Sequence, residues 1–397
     1  MKIESMLKLP VYLDHNATTP CDPRVVEAML PYFSTSFGNA ASRHHSFGWV
    51  AEEAVDHARE QVARLIGAEP KEIIFTSGAT EGDNLALKGV FEMYSGKGKH
   101  IITCNIEHKA VIDTCSYIES QGGEVTWLEV KSNGLVDLSE LEAAIRPDTI
   151  LISIMYANNE IGTVMPIKEI CEIAKRKGVL IFTDATQAVG KIPIDVNNTG
   201  IDLMAFSAHK MYGPKGVGAL YVRRKNPRVK LNAQLHGGGH EKGMRSGTLN
   251  VPGIVGFGKA CEICQKEMNE EAARVSRLRD KLQDGLLKIE GTYVNGDVNH
   301  RLPHVTNISF KHADGEGLMM SLNKNIALST GSACTSASIE PSYVLKALGL
   351  EDELAHSTIR FGLGRYTTED EIDYTIEQVA AAVSKLRQMN PLYKEEI

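Results

Sequence analysis

The sequence predicts an α/β protein, in which a large domain built on a mostly parallel sheet carries a smaller α+β domain. Three observations predict this. The chain has 397 residues, more than one hydrophobic core normally organises. Short apolar runs rich in β-branched residues recur through its first 222 residues, and patterns of helical period separate several of them.

In order, the runs cover residues 72–77, 100–104, 124–130, 149–157, 179–183, 203–207 and 217–222. Between them, residues 79–94 set Leu85, Leu87 and Val90 among charged neighbours, and residues 107–121 and 167–177 repeat that spacing. Strands alternating with helices of this length give a sheet buried on both faces, whose ligands bind beyond the carboxyl ends of the strands. From about residue 251 the texture changes to charged helix, densest over 267–286. Short strands follow near 307–310 and 326–329, and a helix over 369–386 closes the pattern. No Pro/Ser-rich linker intervenes, so a long helix is expected to join the two parts.

Composition narrows the function classes. Hydrophobic residues make up 43% of the chain, yet no apolar run approaches the ~18 residues of a membrane span, and no apolar signal segment follows Met1. A cytoplasmic protein is the expectation. The net charge of −7 gives no general attraction for nucleic acid. Seven cysteines without small-scaffold spacing argue against a disulfide framework. Cys261 and Cys264 have redox spacing but lie in a helical pattern, and Cys104, Cys115 and Cys171 lie in apolar patterns that read as core.

Lys210 and Asp184 each end an apolar run, at the edge where such sheets bind ligands. An amine with a carboxylate available for a ring nitrogen suggests a Schiff-base site for pyridoxal phosphate, whose aldehyde needs the first and whose pyridinium needs the second. Taken alone, a surface lysine and a capping aspartate is the simpler reading. Phe75-Thr76-Ser77-Gly78-Ala79-Thr80-Glu81 is a strand, a glycine turn and a helix start, where unpaired N–H groups and the helix dipole favour a phosphate. Thr80, Ser207 and His209 are placed to help, although a simple cap explains Ser77 or Thr80 equally. Neither a dinucleotide glycine fingerprint nor a Walker A loop is present.

His108 follows the second run and is placed to stack on a ring or to shuttle protons. Gln187 lies three residues after Asp184. Asn158 and Asn159 sit where a turn is expected, with Asn159 also placed to orient cofactor or substrate. Arg360 alternates with apolar residues as in a strand; its guanidinium fits a carboxylate or a structural ion pair. Residues 329–338 are small and polar, the composition of a mobile surface loop that presents Cys334, whose thiol needs a proton acceptor or positive charge to react. The run His236-Gly237-Gly238-Gly239-His240 with Arg245-Ser246-Gly247-Thr248 reads as a flexible loop or as part of a phosphate site across a dimer interface.

Together these segments, with Tyr12-Leu13-Asp14, Ser42-Arg43, Glu107 to Ala110, Asn158 to Gly162 and Ser207 to Gly218, make the chain resemble the pyridoxal-phosphate-dependent cysteine desulfurases of the IscS/NifS type, among the class V aminotransferases. Ala40 and Ala208 depart from the Pro and Gly common there. The resemblance implies a fold-type I, aspartate-aminotransferase-like architecture, with residues 16–262 as the cofactor domain and 1–15 plus 263–397 as the small domain. It implies Lys210 as the Schiff-base lysine, Asp184 on the pyridine nitrogen, Gln187 on the phenolate oxygen and His108 on the ring. Ala79, Thr80, Ser207, His209 and Thr248 of the second copy would hold the phosphate, making a homodimer. Asn159, also counted with the cofactor, and Arg360 would hold the substrate.

Cys334 would take sulfur from L-cysteine as a persulfide, leaving L-alanine, and pass it to an iron–sulfur scaffold and to other acceptors, among them tRNA-thiolation partners. The same cysteine is implied as a transient iron–sulfur ligand. The sequence ends at Ile397, short of the longer tail by which some members dock the scaffold. Two other readings are a selenocysteine lyase or related class V enzyme, and a noncatalytic sulfur carrier or assembly scaffold using Cys334 alone.

Overall fold

β-Branched and aromatic runs buried on both sides cannot alternate polar with apolar residues, and here they become the strands of a central sheet. The computed structural model describes residues 7–330, 340–390 and 393. The chain begins with β1 (Val11–Tyr12), α1 (Pro23–Met29), α2 (Pro31–Ser34) and the 20-residue α3 (Ser46–Leu65). The sheet region follows as β2 (Ile73–Thr76), α4 (Ala79–Met93), β3 (His100–Cys104), α5 (Lys109–Ser120), β4 (Glu124–Leu128), α6 (Leu138–Ala144) and β5 (Thr149–Ser153). It continues with α7 (Ile167–Lys177), β6 (Leu180–Asp184), α8 (Val196–Thr199), β7 (Leu203–Ser207) and β8 (Gly218–Val222). The order across the sheet is β2-β8-β7-β6-β5-β3-β4, and β8 alone runs antiparallel to its neighbours.

The expected joining helix is α9 (Val251–Leu286), 36 residues long, with Pro252 in its first turn where a missing N–H costs nothing. Beyond it lie β9 (Thr292–Asn295), β10 (Val305–Phe310), α10 (Gly315–Leu322), β11 (Ile326–Ala327), α11 (Tyr343–Ala347), α12 (Asp352–His356), β12 (Thr358–Gly362) and α13 (Glu369–Met389). The second sheet has the order β12-β10-β9, and β1 pairs in parallel with β11, carrying the first strand to the C-terminal region.

Apolar side chains fill both faces of the large sheet. One cluster includes Phe75, Phe206 and Phe257, and the other Ile74, Leu85, Phe182 and Leu220. A further cluster joins Val11 and Leu13 to Leu282, Phe310, Phe361 and Val383. Cys104, Cys115, Cys171, Cys261 and Cys264 are buried and free, so the Cys261/Cys264 spacing belongs to the packed face of α9. No described helix is long and apolar enough to cross a membrane.

Candidate functional site

The carboxyl ends of β6 and β7 and the start of α4 open into a cavity of about 530 Å³, a usual volume for a cofactor-sized ligand. Asp184 is the last residue of β6 and Ser207 the last of β7, so strand direction alone aims both at the cavity. Lys210 follows in a short 3₁₀ turn, and its Nζ donates to the carbonyls of Asn16 (2.5 Å) and Ala17 (2.7 Å). Asp184 Oδ1 accepts from the Thr186 N–H at 2.9 Å. His108 caps α5, its Nδ1 accepting the Ala110 N–H at 3.2 Å.

α4 begins at Ala79 after Gly78, with no side-chain cap, so its first N–H groups face the cavity. Glu81 in its first turn accepts the Ser77 N–H (2.8 Å) and pairs with Arg245 (2.7 Å), which neutralises a carboxylate that would oppose an anion. His209 Nδ1 lies 3.0 Å from Thr18 Oγ1. Burial first, then the charges of Lys210 and Lys215, lowers the His209 imidazole to about 4, so it is neutral at neutral pH and offers hydrogen bonds rather than charge.

Arg360, in the middle of β12, is 2% exposed. Its guanidinium donates to Asp14 Oδ1 (2.8 Å) and the Asn159 carbonyl (3.0 Å), so a structural ion pair and a place on the cavity wall coexist. The adjacent amides divide their work. Asn158 makes the turn, its Oδ1 accepting from Glu160 N–H and Ile161 N–H, whereas the buried Oδ1 of Asn159 has no hydrogen-bond partner among the described residues. Gln187 donates to the Asn16 carbonyl at 3.0 Å.

Ala79, Thr80, His108, Asn159, Asp184, Gln187, Ser207, His209, Lys210 and Arg360 therefore line one cavity although they are spread over 282 positions (360 − 79 + 1). Thr248 is exposed and does not line it. Cys334 lies outside the described residues, as does the loop around it.

The fit to pyridoxal phosphate is favourable on the chemistry of these donors. There is an amine for an aldehyde, a carboxylate for a pyridinium, an imidazole at the rim and an uncapped helix start for a phosphate. The buried Asn159 Oδ1 and Thr186 Oγ1, without partners among the described residues, add polar atoms that a ligand would satisfy. Sequence reasoning missed Asn16 and Thr18: the Asn16 carbonyl accepts from the lysine Nζ, and Thr18 Oγ1 lies 3.0 Å from His209 Nδ1. The run Asn16-Ala17-Thr18-Thr19-Pro20 is only a turn signal without the tertiary contact. It also missed Asp83 and the buried Glu107, whose Oε1 accepts the Met155 N–H at 2.6 Å.

The model of the family described as aminotransferase class-V matches residues 11–375. The chain is 60% identical over 390 residues to the cysteine desulfurase IscS of Pectobacterium carotovorum subsp. carotovorum, covering 98% of this chain and 96% of that one. It is 59% identical, with the same coverage, to the cysteine desulfurase IscS of Escherichia coli K12. Among solved structures, one called a NifS-like protein superposes with a TM-score of 0.89 at 40% identity, covering 95% of this chain and 100% of the other. SspA in complex with cysteine gives 0.80 at 38%, covering 90% and 100%.

Proposed function

This chain belongs to the class V aminotransferase family, and on that premise we propose that it is a cysteine desulfurase, taking sulfur from L-cysteine and leaving L-alanine. The observation that carries the reading is the convergence of Lys210, Asp184, His108 and Arg360 on one cavity. The family works with pyridoxal phosphate, which when bound supplies an electron sink for the carbon next to the substrate amine. Lys210 would hold it and accept the substrate's α-proton at Nζ. Asp184 would hold the ring nitrogen and Gln187 the phenolate oxygen. Ala79, Thr80, Ser207, His209 and the second copy's Thr248 would hold the phosphate.

His108, on the wall of the same cavity, would face the ring and move protons. Arg360 grips the substrate carboxylate in a two-point fork, with Asn159 beside it. Cys334 attacks the substrate sulfur and keeps it as a persulfide for an iron–sulfur scaffold and other acceptors. We take residues 16–262 as the cofactor domain and 1–15 with 263–397 as the small domain, and the enzyme as a cytoplasmic homodimer.

Mass spectrometry of Cys334 after incubation with L-cysteine tests cofactor, nucleophile and substrate together. One added sulfur is expected in the wild type and none in Lys210→Ala, with alanine formation reduced about 10²–10⁴-fold in that variant. A Cys334→Ser variant that still forms alanine at the wild-type rate would instead indicate a lyase that does not use this thiol.

A further inference from the structure

Asp83 stands one turn inside α4 at the floor of the cavity, and no step above uses it. It is 0% exposed, and neither carboxyl oxygen has a hydrogen-bond partner among the described residues. Its burial follows from close packing of α4 on the sheet: a Cβ on neighbouring Gly82 would sit 3.0 Å from Ala205 Cβ. The charges acting on Asp83 are Asp184 from β6 and Glu107 from the turn before α5, both acidic. Strands β2, β5, β7 and β8 carry no acidic or basic side chain, and Lys109 and Lys210 line the same cavity. Burial first, then those two carboxyls, pushes the Asp83 carboxyl well above the usual range, the direction that favours its O–H form.

One oxygen of Asp83, one of Asp184 and a ring nitrogen of His108 all lie within 4.8 Å of one another. Two hydrogen bonds of ~2.8 Å meeting at one water span such a gap.

We propose that Asp83 is a positioning residue for the reaction: through one water it donates its carboxyl proton to Asp184, keeping the proton shared by Asp184 and the bound cofactor on the ring nitrogen. A carboxylate that accepts an additional hydrogen bond is a weaker base, so the ring retains the proton, and a protonated ring is the better electron sink. The inference rests on the cofactor reading above.

The test is nitrogen-15 NMR of holoenzyme loaded with ring-labelled pyridoxal phosphate, with kinetics on L-cysteine. In the wild type and in Asp83→Asn, whose amide still donates, the ring resonance is expected at the protonated position. In Asp83→Ala it moves toward neutral pyridine, and kcat falls about tenfold or more with KM unchanged, the scale of one charge-assisted hydrogen bond. Asp83→Leu, which fills the space without a donor, reproduces that movement. A wild-type shift in either nondonating variant overturns the proposal, as does an Asp83→Asn enzyme displaced as far as Asp83→Ala. Wild-type protein that takes up no ring at all overturns the cofactor reading as well, which separates the two failures.

Discussion

Arg360 shows why residue chemistry, rather than charge alone, governs this site. Its planar fork already holds Asp14 and the Asn159 carbonyl, which fixes the guanidinium for a carboxylate. Arg360→Lys keeps the charge and loses the fork. It is expected to raise KM for L-cysteine by about 1.5–3 kcal/mol equivalent with a smaller change in kcat, as steady-state kinetics will read. His15 gives a pH prediction. Burial, the dominant cause, lowers its imidazole to about 4, whereas in the unfolded chain it titrates near ~6.5. Between those values the unfolded chain binds the additional proton, so the His15 contribution is fully present above ~6.5 and is lost as pH falls toward 4. Urea midpoints measured from pH 7 to 4.5 should therefore fall more steeply in the wild type than in His15→Asn.

The residues with strong type-specific chemistry, Lys210, Asp184 and His108, were legible in the sequence, because strand ends place them on a predictable edge. Asp83 was not. In Ala79-Thr80-Glu81-Gly82-Asp83 it has the look of an ordinary polar helix position, and only the packing of α4 against the sheet makes it a buried acid.

At the scale of elements, apolar runs located the strands well because burial on both faces leaves little choice of side chain. Residues 100–104 and 203–207 are strands to the residue, and 167–177 is a helix to the residue. The run 149–157 was too long: the strand ends at Ser153, and the apolar residues beyond it line the site and the core instead. α3 was not read at all. Its buried apolar positions, Ala51, Val55, Ala58, Val62 and Ala63, recur at helical spacing and pack on α9, but such small residues form no apolar run of the kind that marked the other elements.

Loop anchoring was equally hidden. Glu241, at a positive φ of 49°, is buried with Arg59 at 2.7 Å and accepts the Phe75 N–H at 2.8 Å, tying the glycine-rich loop to β2. Arg59→Ala leaves that carboxylate uncompensated and should cost about 3–5 kcal/mol in denaturant unfolding. Gly218 opens β8 where a Cβ would stand 2.6 Å from the Phe206 carbonyl oxygen and 2.8 Å from Gly78. Gly218→Ala should lose about 1–3 kcal/mol and loosen the end of the cavity proposed to hold the phosphate, seen as weaker retention of pyridoxal phosphate on dialysis.

At the scale of the whole molecule, the surface of α1–α3 and their connections is unusually apolar for a monomer. Leu30, Phe33, Phe37, Phe47 and Trp49 are all at least half exposed, and the rings of Phe37 and Phe47 lie tilted against each other with centroids 5.3 Å apart. A second copy would cover them and could bring Thr248 to the phosphate. Light scattering is expected to give a dimer, and Phe33→Asp with Phe37→Asp a monomer that holds the cofactor less firmly.

The path of the first strand carries a further consequence. Among the described residues β1 pairs only with β11; Asp14 pairs with Arg360, and the carbonyls of Asn16 and Ala17 accept from the amine of Lys210. On the ribosome, residues 11–17 emerge about 300 positions before the strand that β1 joins (326 − 12 = 314). The nascent polypeptide can build most of its central sheet during synthesis, but the catalytic chamber has to wait until Ile326 and Ala327 have been made, when a segment made long before is stitched to them.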